Sequence, residues 1–434
     1  MPRSISIYNP YEYPLVFLGT DDTELTLHPR IWTRNIDPKG QAVKTALKDK
    51  KLLVNYKGQT SRHFQLPRML LCGPIDPITG YGILTEKFIH NLAQKMPVSL
   101  FELSHWHKYD GMSPIVSQLM DDAYKRIVPH EWALCFSIPP ELPRVPAVRR
   151  ILFSMWETDR LPGTELPKDN PDRWEKYVNE WADALIVPCQ NEKEVWLRCG
   201  VKVPIYVCPL GVDTDIYKYK ERPPRSEYDK FTILTYGMLT SRKSPIETIT
   251  DVCWRALGKE QDWKLIVKTR AGQTGGGEFS AQFADDRIET INQDYMPEQM
   301  ADLCYQSDVG IFLSRYEGWG LPPREMMATG LPVIWTNHSG HKEDCNPNYN
   351  IPIGTLGQED GTGPYSGMGG WYKPDYEEAA RALRAEYLDW KARGRTQSLK
   401  GMWAANYINH FRTWRYCSET LLGILREITG YNYE

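Results

Sequence analysis

Two carboxylates eight positions apart, Glu317 and Glu325, stand in the stretch DVGIFLSRYEGWGLPPREMMATGLPVIW, residues 308–335. The first lies in a glycine-punctuated loop, Gly318-Trp319-Gly320, which runs on into Leu321. The second follows Pro322 and Pro323, residues that a first helical turn tolerates. A loop carboxylate and a helix carboxylate at this spacing can face one ligand and accept hydrogen bonds from its hydroxyls. The loop amides and the helix N-terminus can hold an anion beside them. A plainer reading is equally open on spacing alone: Glu325 complements the helix dipole in the first turn, and Glu317 is an ordinary loop charge.

The elements around the pair are those of a βαβ unit. The apolar run 309–313 has the length of a buried parallel strand, Gly330 stops the helix, and 332–335 reads as the next strand. Both carboxylates then lie near the carboxyl end of the first strand, where open parallel sheets bind ligands. The same alternation runs through the chain. Residues 69–72 form a short apolar strand, Thr79-Gly80-Tyr81-Gly82 a glycine turn, and Ile83, Leu84, Phe88, Ile89 and Leu92 one face of a helix. Strand, glycine loop and helix together present backbone amides to phosphate, although a glycine turn before a helix is common. Further strands are predicted at 98–103, 132–138, 149–155 and 183–188, and a helix at 191–199. A second series begins with a strand at 231–236. It continues through a turn carrying Arg242 and Lys243, a helix from Pro245, and a strand over 263–268 ending on Lys268. A strand over 288–291 leads to Asn292, and a helix over 297–304 returns the chain to the carboxylate pair. Residues 351–371 read as a long glycine-rich loop, and helices at 376–393 and 400–428 close the chain.

Three other constellations offer chemistry. His105 and His107 have H-x-H spacing, but no third ligand at suitable spacing is near, so a metal reading is weak. Glu157, in Trp156-Glu157-Thr158-Asp159, follows a predicted strand end and faces a cleft; a helix-capping or salt-bridge role is the alternative. From Arg34 to Arg68, nine Lys/Arg stand against Asp37 and Asp49, a balance of +7 on a chain of net charge −3. That stretch is either a solvated basic face or a surface for an anionic acceptor. The overall charge argues against a general nucleic-acid binder. The nine cysteines are scattered without a C-x-x-C pair, which favours reduced thiols, and no run of eighteen apolar residues predicts a membrane span. The opening residues lack the apolar core of a signal peptide, and a cytoplasmic location is expected.

EGWGLPPREMMATGLPVI is similar to the E-x7-E signature of family 4 retaining glycosyltransferases, which have the GT-B fold. The glycine loop after residue 72 and ADALIVPCQNEKEVWLRCGVKVPIYVCPLGVDTDIY resemble other segments of that family, so the likeness covers about residues 69 to 350. It implies that Glu317 contacts the donor sugar and Glu325 the nucleotide ribose. Lys243 matches a family lysine that meets the donor pyrophosphate, whereas Met238 stands where the family usually has Arg. Arg242 is inferred to supply the missing charge, as a guanidinium suits phosphate. Gly318, Trp319, Gly320, Leu321, Lys268, Asn292, Gly80 and Gly82 are expected around the donor, and Glu157 and His105 on the acceptor side. Asp213-Thr214-Asp215 looks like the D-x-D metal motif of the other large glycosyltransferase fold, but it falls in the turn between domains and is not read as a metal site.

The expected architecture is therefore α/β and GT-B. Residues 1–66 form an N-terminal extension, 67–218 an acceptor domain, 228–395 a nucleotide-sugar donor domain, and 396–434 a helix crossing back to the first domain. The expected activity is retaining, metal-independent and cofactor-free transfer from a UDP- or GDP-sugar to an acceptor hydroxyl on a glycan or lipid-linked precursor. A modified base in DNA is an alternative acceptor, motivated by the basic stretch. Epimerase or phosphorylase chemistry on the same fold, and a non-catalytic sugar-nucleotide or glycan-binding protein, are the rival classes.

Overall fold

The computed structural model describes residues 69–431 apart from 77–78, 104–105, 124–129, 168–169, 171, 227, 238–239, 244 and 270–284; before residue 69 it describes the backbone of five strands. Those five are β1 (Ile5–Tyr8), β2 (Leu15–Leu18), β3 (Glu24–Leu27), β4 (Trp32–Ile36) and β5 (Leu53–Tyr56). β1 pairs antiparallel with β4 and β5, and β2 with β3. The basic side chains between residues 34 and 68 lie outside the described residues, as do His105 and Met238.

The first domain is a parallel sheet of β6 (Met69–Cys72), β7 (Val98–Phe101), β8 (His130–Phe136), β9 (Ala147–Phe153), β10 (Ala184–Val187) and β11 (Ile205–Val207). Their order is β11-β10-β9-β8-β6-β7, so the order reverses between β6 and β8. Helices α1 (Gly80–Leu92), α2 (Pro114–Ala123), α3 (Trp174–Trp181) and α4 (Gln190–Arg198) connect the strands. The second sheet comprises β12 (Phe231–Tyr236), β13 (Trp263–Thr269), β14 (Ile288–Asn292), β15 (Val309–Phe312), β16 (Val333–Thr336) and β17 (Ile351–Ile353). It is also parallel, in the order β14-β13-β12-β15-β16-β17, with its reversal between β12 and β15. Its connecting helices are α5 (Ile246–Leu257), α6 (Pro297–Tyr305) and α7 (Leu321–Ala328). Strands β6, β10, β12, β15 and β16 are buried along their whole length. Helices cover both faces of such sheets, which is why these strands are mostly apolar along their length, with only threonines Thr232, Thr235 and Thr336 interspersed, rather than alternating.

Two expectations for the C-terminal part are corrected. The stretch 351–371 is not a loop: after β17 it forms an antiparallel hairpin of β18 (Thr355–Asp360) and β19 (Gly370–Pro374). After α8 (Tyr376–Ala392), the segment 400–428 is not one helix but two, α9 (Leu399–Phe411) and α10 (Trp414–Thr429). The break needs no proline. The Arg412 carbonyl accepts the Val212 amide at 2.7 Å, the Arg412 guanidinium reaches buried Asp344 at 2.7 Å, and the Thr413 hydroxyl caps the new helix by accepting from Tyr416 N–H. At this corner a Cβ on Gly211 would lie 2.4 Å from the Trp414 nitrogen, so only glycine permits the close approach. Helix α10 then packs on the first domain: Trp414, Cys417, Leu421, Leu422 and Leu425 join the core that contains Phe88, Phe136 and Phe153. The Trp414 ring meets that of Phe88 edge-on at 5.3 Å. The chain thus returns to the first domain through α10.

Candidate active site

The loops that leave β12 and β15 flank the point where the strand order reverses, and they bring together residues 74 or more positions apart. After β12 a 3₁₀ turn, Ser241–Lys243, carries Arg242 and Lys243; after β15 the chain runs through Ser314, Tyr316 and Glu317 into α7. Arg242 Nη1 lies 3.0 Å from Glu317 Oε2 and donates to the Tyr316 carbonyl at 2.6 Å, and Lys243 Nζ lies 3.3 Å from Glu317 Oε1. The Ser314 hydroxyl donates to Glu317 Oε1 at 2.9 Å. The Glu317 amide donates to the Ser339 hydroxyl at 3.0 Å, and Ser339 holds a φ of 47°, a left-handed backbone unusual for a residue other than glycine. Burial works to raise the Glu317 carboxyl, but the charges of Arg242 and then Lys243 outweigh it and hold the group well below the usual carboxylate range. Burial depresses the two nearby imidazoles, His338 to about 4 and His341 to about 3, so both are neutral at pH 7. Arg242 stays charged: burial opposes its charge, and Glu157 and Glu317 outweigh burial. Among the described residues its buried Nε–H has no hydrogen-bond partner.

Glu325 occupies a second position on the same side. It lies half-buried on α7 and accepts from the Tyr236 hydroxyl at the end of β12, at 2.8 Å. The first turn of α7 holds no acidic residue, so the dipole argument for Glu325 fails and its tyrosine partner takes that place. Burial pushes its carboxyl up to about 7 against the hydrogen bonds from Tyr236 and Tyr217, with Asp213 adding to the rise. Asp213 itself pairs with Lys87 of α1 at 2.9 Å, which is the structural role of the D-x-D stretch.

The loop between the two carboxylates is wedged against the first domain. The Gly318 carbonyl accepts from the Cys189 thiol at 3.5 Å, and a Cβ on Gly318 would come within 3.0 Å of the Met155 side chain. Trp319 is buried in the first domain's core with Leu321 packed beside it, and the Arg324 guanidinium lies 3.7 Å above the indole. The Trp319 side chain therefore joins the domains instead of lining the cleft. Gly320 has a φ of 91°, and a Cβ there would meet His341 Nε2 at 2.6 Å. Lys268 is buried near the end of β13, 5.3 Å from the Tyr295 ring, whereas Asn292 ends the sheet-edge strand β14 and is exposed. In the first domain Gly80 is exposed, and Gly82 packs so tightly on Asp76 that a Cβ would lie 2.3 Å from its carboxylate. Asp76 in turn accepts from the Thr79 amide and hydroxyl, both at 2.6 Å, so this glycine serves the helix cap.

Glu157 is the first-domain residue that reaches the cluster: its Oε1 lies 2.8 Å from Arg242 Nη2. It also accepts from the Tyr365 hydroxyl of the hairpin. Ser339, His341, Tyr236 and Tyr365 had no motif to mark them. Ser339 and His341 sit just beyond a predicted strand end, which was the only available signal.

Against this geometry, comparison with solved structures is decisive for architecture. Sucrose-phosphate synthase from Thermosynechococcus elongatus superposes with a TM-score of 0.58 at 16% identity, covering 84% of this chain and 99% of that one. Anabaena Alr3699/HepE, solved with UDP-glucose, gives 0.57 at 12% identity over 83% of this chain and 99% of its own. The fold is GT-B. Residues 220–356, which hold Arg242, Lys243, Glu317 and Glu325, match the family model described as Glycosyl transferases group 1. Among curated proteins, a GDP-mannose:cellobiosyl-diphosphopolyprenol alpha-mannosyltransferase of Xanthomonas campestris is 24% identical over 155 residues, 35% of this chain and 39% of the relative. An MMP alpha-(1->4)-mannosyltransferase of Mycolicibacterium hassiacum is 26% identical over 147 residues, 33% of this chain and 34% of the relative. The chain spans under two fifths of the length of these curated relatives.

Proposed function

We propose that the protein is a retaining, metal-independent glycosyltransferase that moves a sugar from a nucleotide-diphosphate sugar to a hydroxyl of a glycan or lipid-linked acceptor. The observation that carries this reading is the Arg242–Lys243–Glu317 cluster at the strand-order reversal of a GT-B donor domain. Departure of a nucleoside diphosphate builds negative charge on phosphate oxygens. Two cations held by the loops after β12 and β15, Arg242 and Lys243, are placed to meet that charge. Glu317, held ionised by the same cations, accepts from the donor sugar's hydroxyls, and Glu325 accepts from the ribose in exchange for Tyr236.

The name of the Xanthomonas campestris relative favours a GDP-sugar and a lipid-linked acceptor. The DNA alternative draws no support from the curated relatives. Retention rests on the E-x7-E resemblance, and no residue is assigned as a covalent nucleophile. Among the described residues no group of three or more His, Cys, Asp and Glu is placed to hold a metal ion. No described helix is long and apolar enough to cross a membrane.

A thermal-shift panel of GDP- and UDP-sugars, followed by transfer assays with the stabilising donor, tests the reading. A true donor at a hundred times its Kd raises stability by about 2.7 kcal/mol. Transfer that EDTA abolishes and magnesium or manganese restores would refute metal independence. Stabilisation by donors without transfer to any glycan or lipid-linked acceptor would favour the non-catalytic binding protein.

A further inference from the structure

The β18–β19 hairpin belongs to the second domain but docks on the first. Gly370 N–H donates to the Asp159 carboxylate at 2.6 Å, and Asp159 N–H donates to the Gly370 carbonyl at 3.2 Å. Trp371 Nε1 donates to the Glu157 carbonyl at 3.1 Å, and the Thr158 hydroxyl reaches the Met368 carbonyl at 2.6 Å. The Tyr365 ring lies 5.5 Å from that of Trp156 and 5.9 Å from the Arg242 guanidinium carbon, and its hydroxyl donates to the Glu157 carboxylate. Glycine is needed at the contact: Gly369 has a φ of 122°, and a Cβ there would lie 2.8 Å from the Thr158 hydroxyl. The hairpin therefore closes over the cleft at the side chain that holds Arg242 from the opposite domain.

The charges do not suit a site ready for an anion. Arg242 lies between two carboxylates, Glu317 at 3.0 Å and Glu157 at 2.8 Å; with Lys243 included, the formal sum of the four groups is zero. A diphosphate approaching this cluster gains little until one carboxylate leaves. Glu317 is not the one to leave. Its side chain is 7% exposed; Arg242, Lys243 and Ser314 hold its carboxylate, and Ser339 its backbone amide, all from within its own domain. Glu157 is 30% exposed and belongs to the other domain, and the group that fixes its second oxygen is on the hairpin.

We propose that Glu157 is a removable counter-ion: it occupies Arg242 in place of the donor's diphosphate, and a nucleoside diphosphate displaces it and undocks the hairpin from residues 157–159. The proposal rests on the donor-site reading above and adds a gate to it. Tyr365 is the positioning residue, since it reports the state of Glu157 to the hairpin. Binding and opening are then one equilibrium. The apparent affinity for nucleotide is the intrinsic affinity reduced by the fraction of molecules in which the clasp is open.

The test is hydrogen–deuterium exchange on the full-length protein with UDP, GDP or inorganic pyrophosphate, reading peptides that cover 156–161 and 366–372, together with calorimetric affinities. In wild type, a saturating nucleoside diphosphate is expected to speed exchange at Asp159 and Gly370 by about tenfold. Glu157→Gln and Tyr365→Phe are each expected to show the faster exchange without ligand and to bind the nucleotide about three- to tenfold more tightly. Pyrophosphate alone is expected to reproduce the opening, because the phosphates contact Arg242. Nucleotide that binds while exchange at both amides stays unchanged or slows overturns the clasp and leaves the donor site standing. Weaker nucleotide binding in both variants also overturns the clasp, because Glu157 and Tyr365 would then be ligand contacts. No binding of UDP or GDP by wild type or either variant overturns the donor site and the clasp together.

Discussion

Glu325→Gln should make the protein more stable than wild type at pH 8 and leave the two nearly equal at pH 5. The Glu325 carboxyl accepts from the Tyr236 hydroxyl at 2.8 Å, and burial pushes it from 4.5 up to about 7. In the unfolded chain it titrates near its ordinary value. Between pH 4.5 and 7 the folded protein therefore binds a proton that the unfolded chain has lost, so stability falls as pH rises through that window. At full ionisation the difference between the two titration points corresponds to about 3 kcal/mol. Water in the cleft reaches a half-buried side chain and screens the charge, so about 2 kcal/mol is the figure to test. Glutamine keeps an oxygen for the tyrosine and carries no proton to lose. The measurement is urea denaturation of both proteins at pH 5 and pH 8, taken as the difference of differences. Glu192 is also pushed up, to about 8, by burial, but it is present in both proteins and cancels. An identical loss of stability between pH 5 and pH 8 in the two proteins would refute the reasoning. On the proposed donor-site reading, in which Glu325 accepts from the ribose, the same variant should bind nucleoside diphosphate about tenfold more weakly.

If Lys243 meets the leaving diphosphate as proposed, Lys243→Ala should lower kcat at least about tenfold while nucleotide affinity changes less; steady-state kinetics beside calorimetry separates the two. Asp344→Asn leaves the buried Arg324 and the Arg412 guanidinium, 2.7 Å from that carboxylate, without their shared anion, and should cost about 3–5 kcal/mol in urea denaturation. Gly211→Ala sets a methyl about 2.4 Å from the Trp414 nitrogen and should cost about 1–3 kcal/mol, seen as earlier release of α10 in hydrogen exchange.

Much of this fold was legible before any coordinates. Strands buried on both faces are dominated by apolar and β-branched residues, and the sequence boundaries of β12 coincide with its ends in the structure, those of β10 and β15 within a residue. The glycine loops and the eight-residue spacing of Glu317 and Glu325 are local features that any reading of the chain meets, whereas Lys243 and Arg242 were marked only by resemblance to a family motif. What the chain alone could not show were partners far apart in sequence. The break at Arg412 depends on Asp344 and Val212, with no proline or glycine at the break itself. The hairpin after β17 is rich in glycine and reads as loop, yet it is ordered by residues 157–159, some 200 positions earlier. Trp319 sits between Glu317 and Glu325, but its indole is buried in the core of the other domain, where a large aromatic gains from packing. Glu157 was readable only as a carboxylate past a strand end. Its place at Arg242 was decided when the two domains met, because an ion pair across a cleft has no sequence spacing to reveal it.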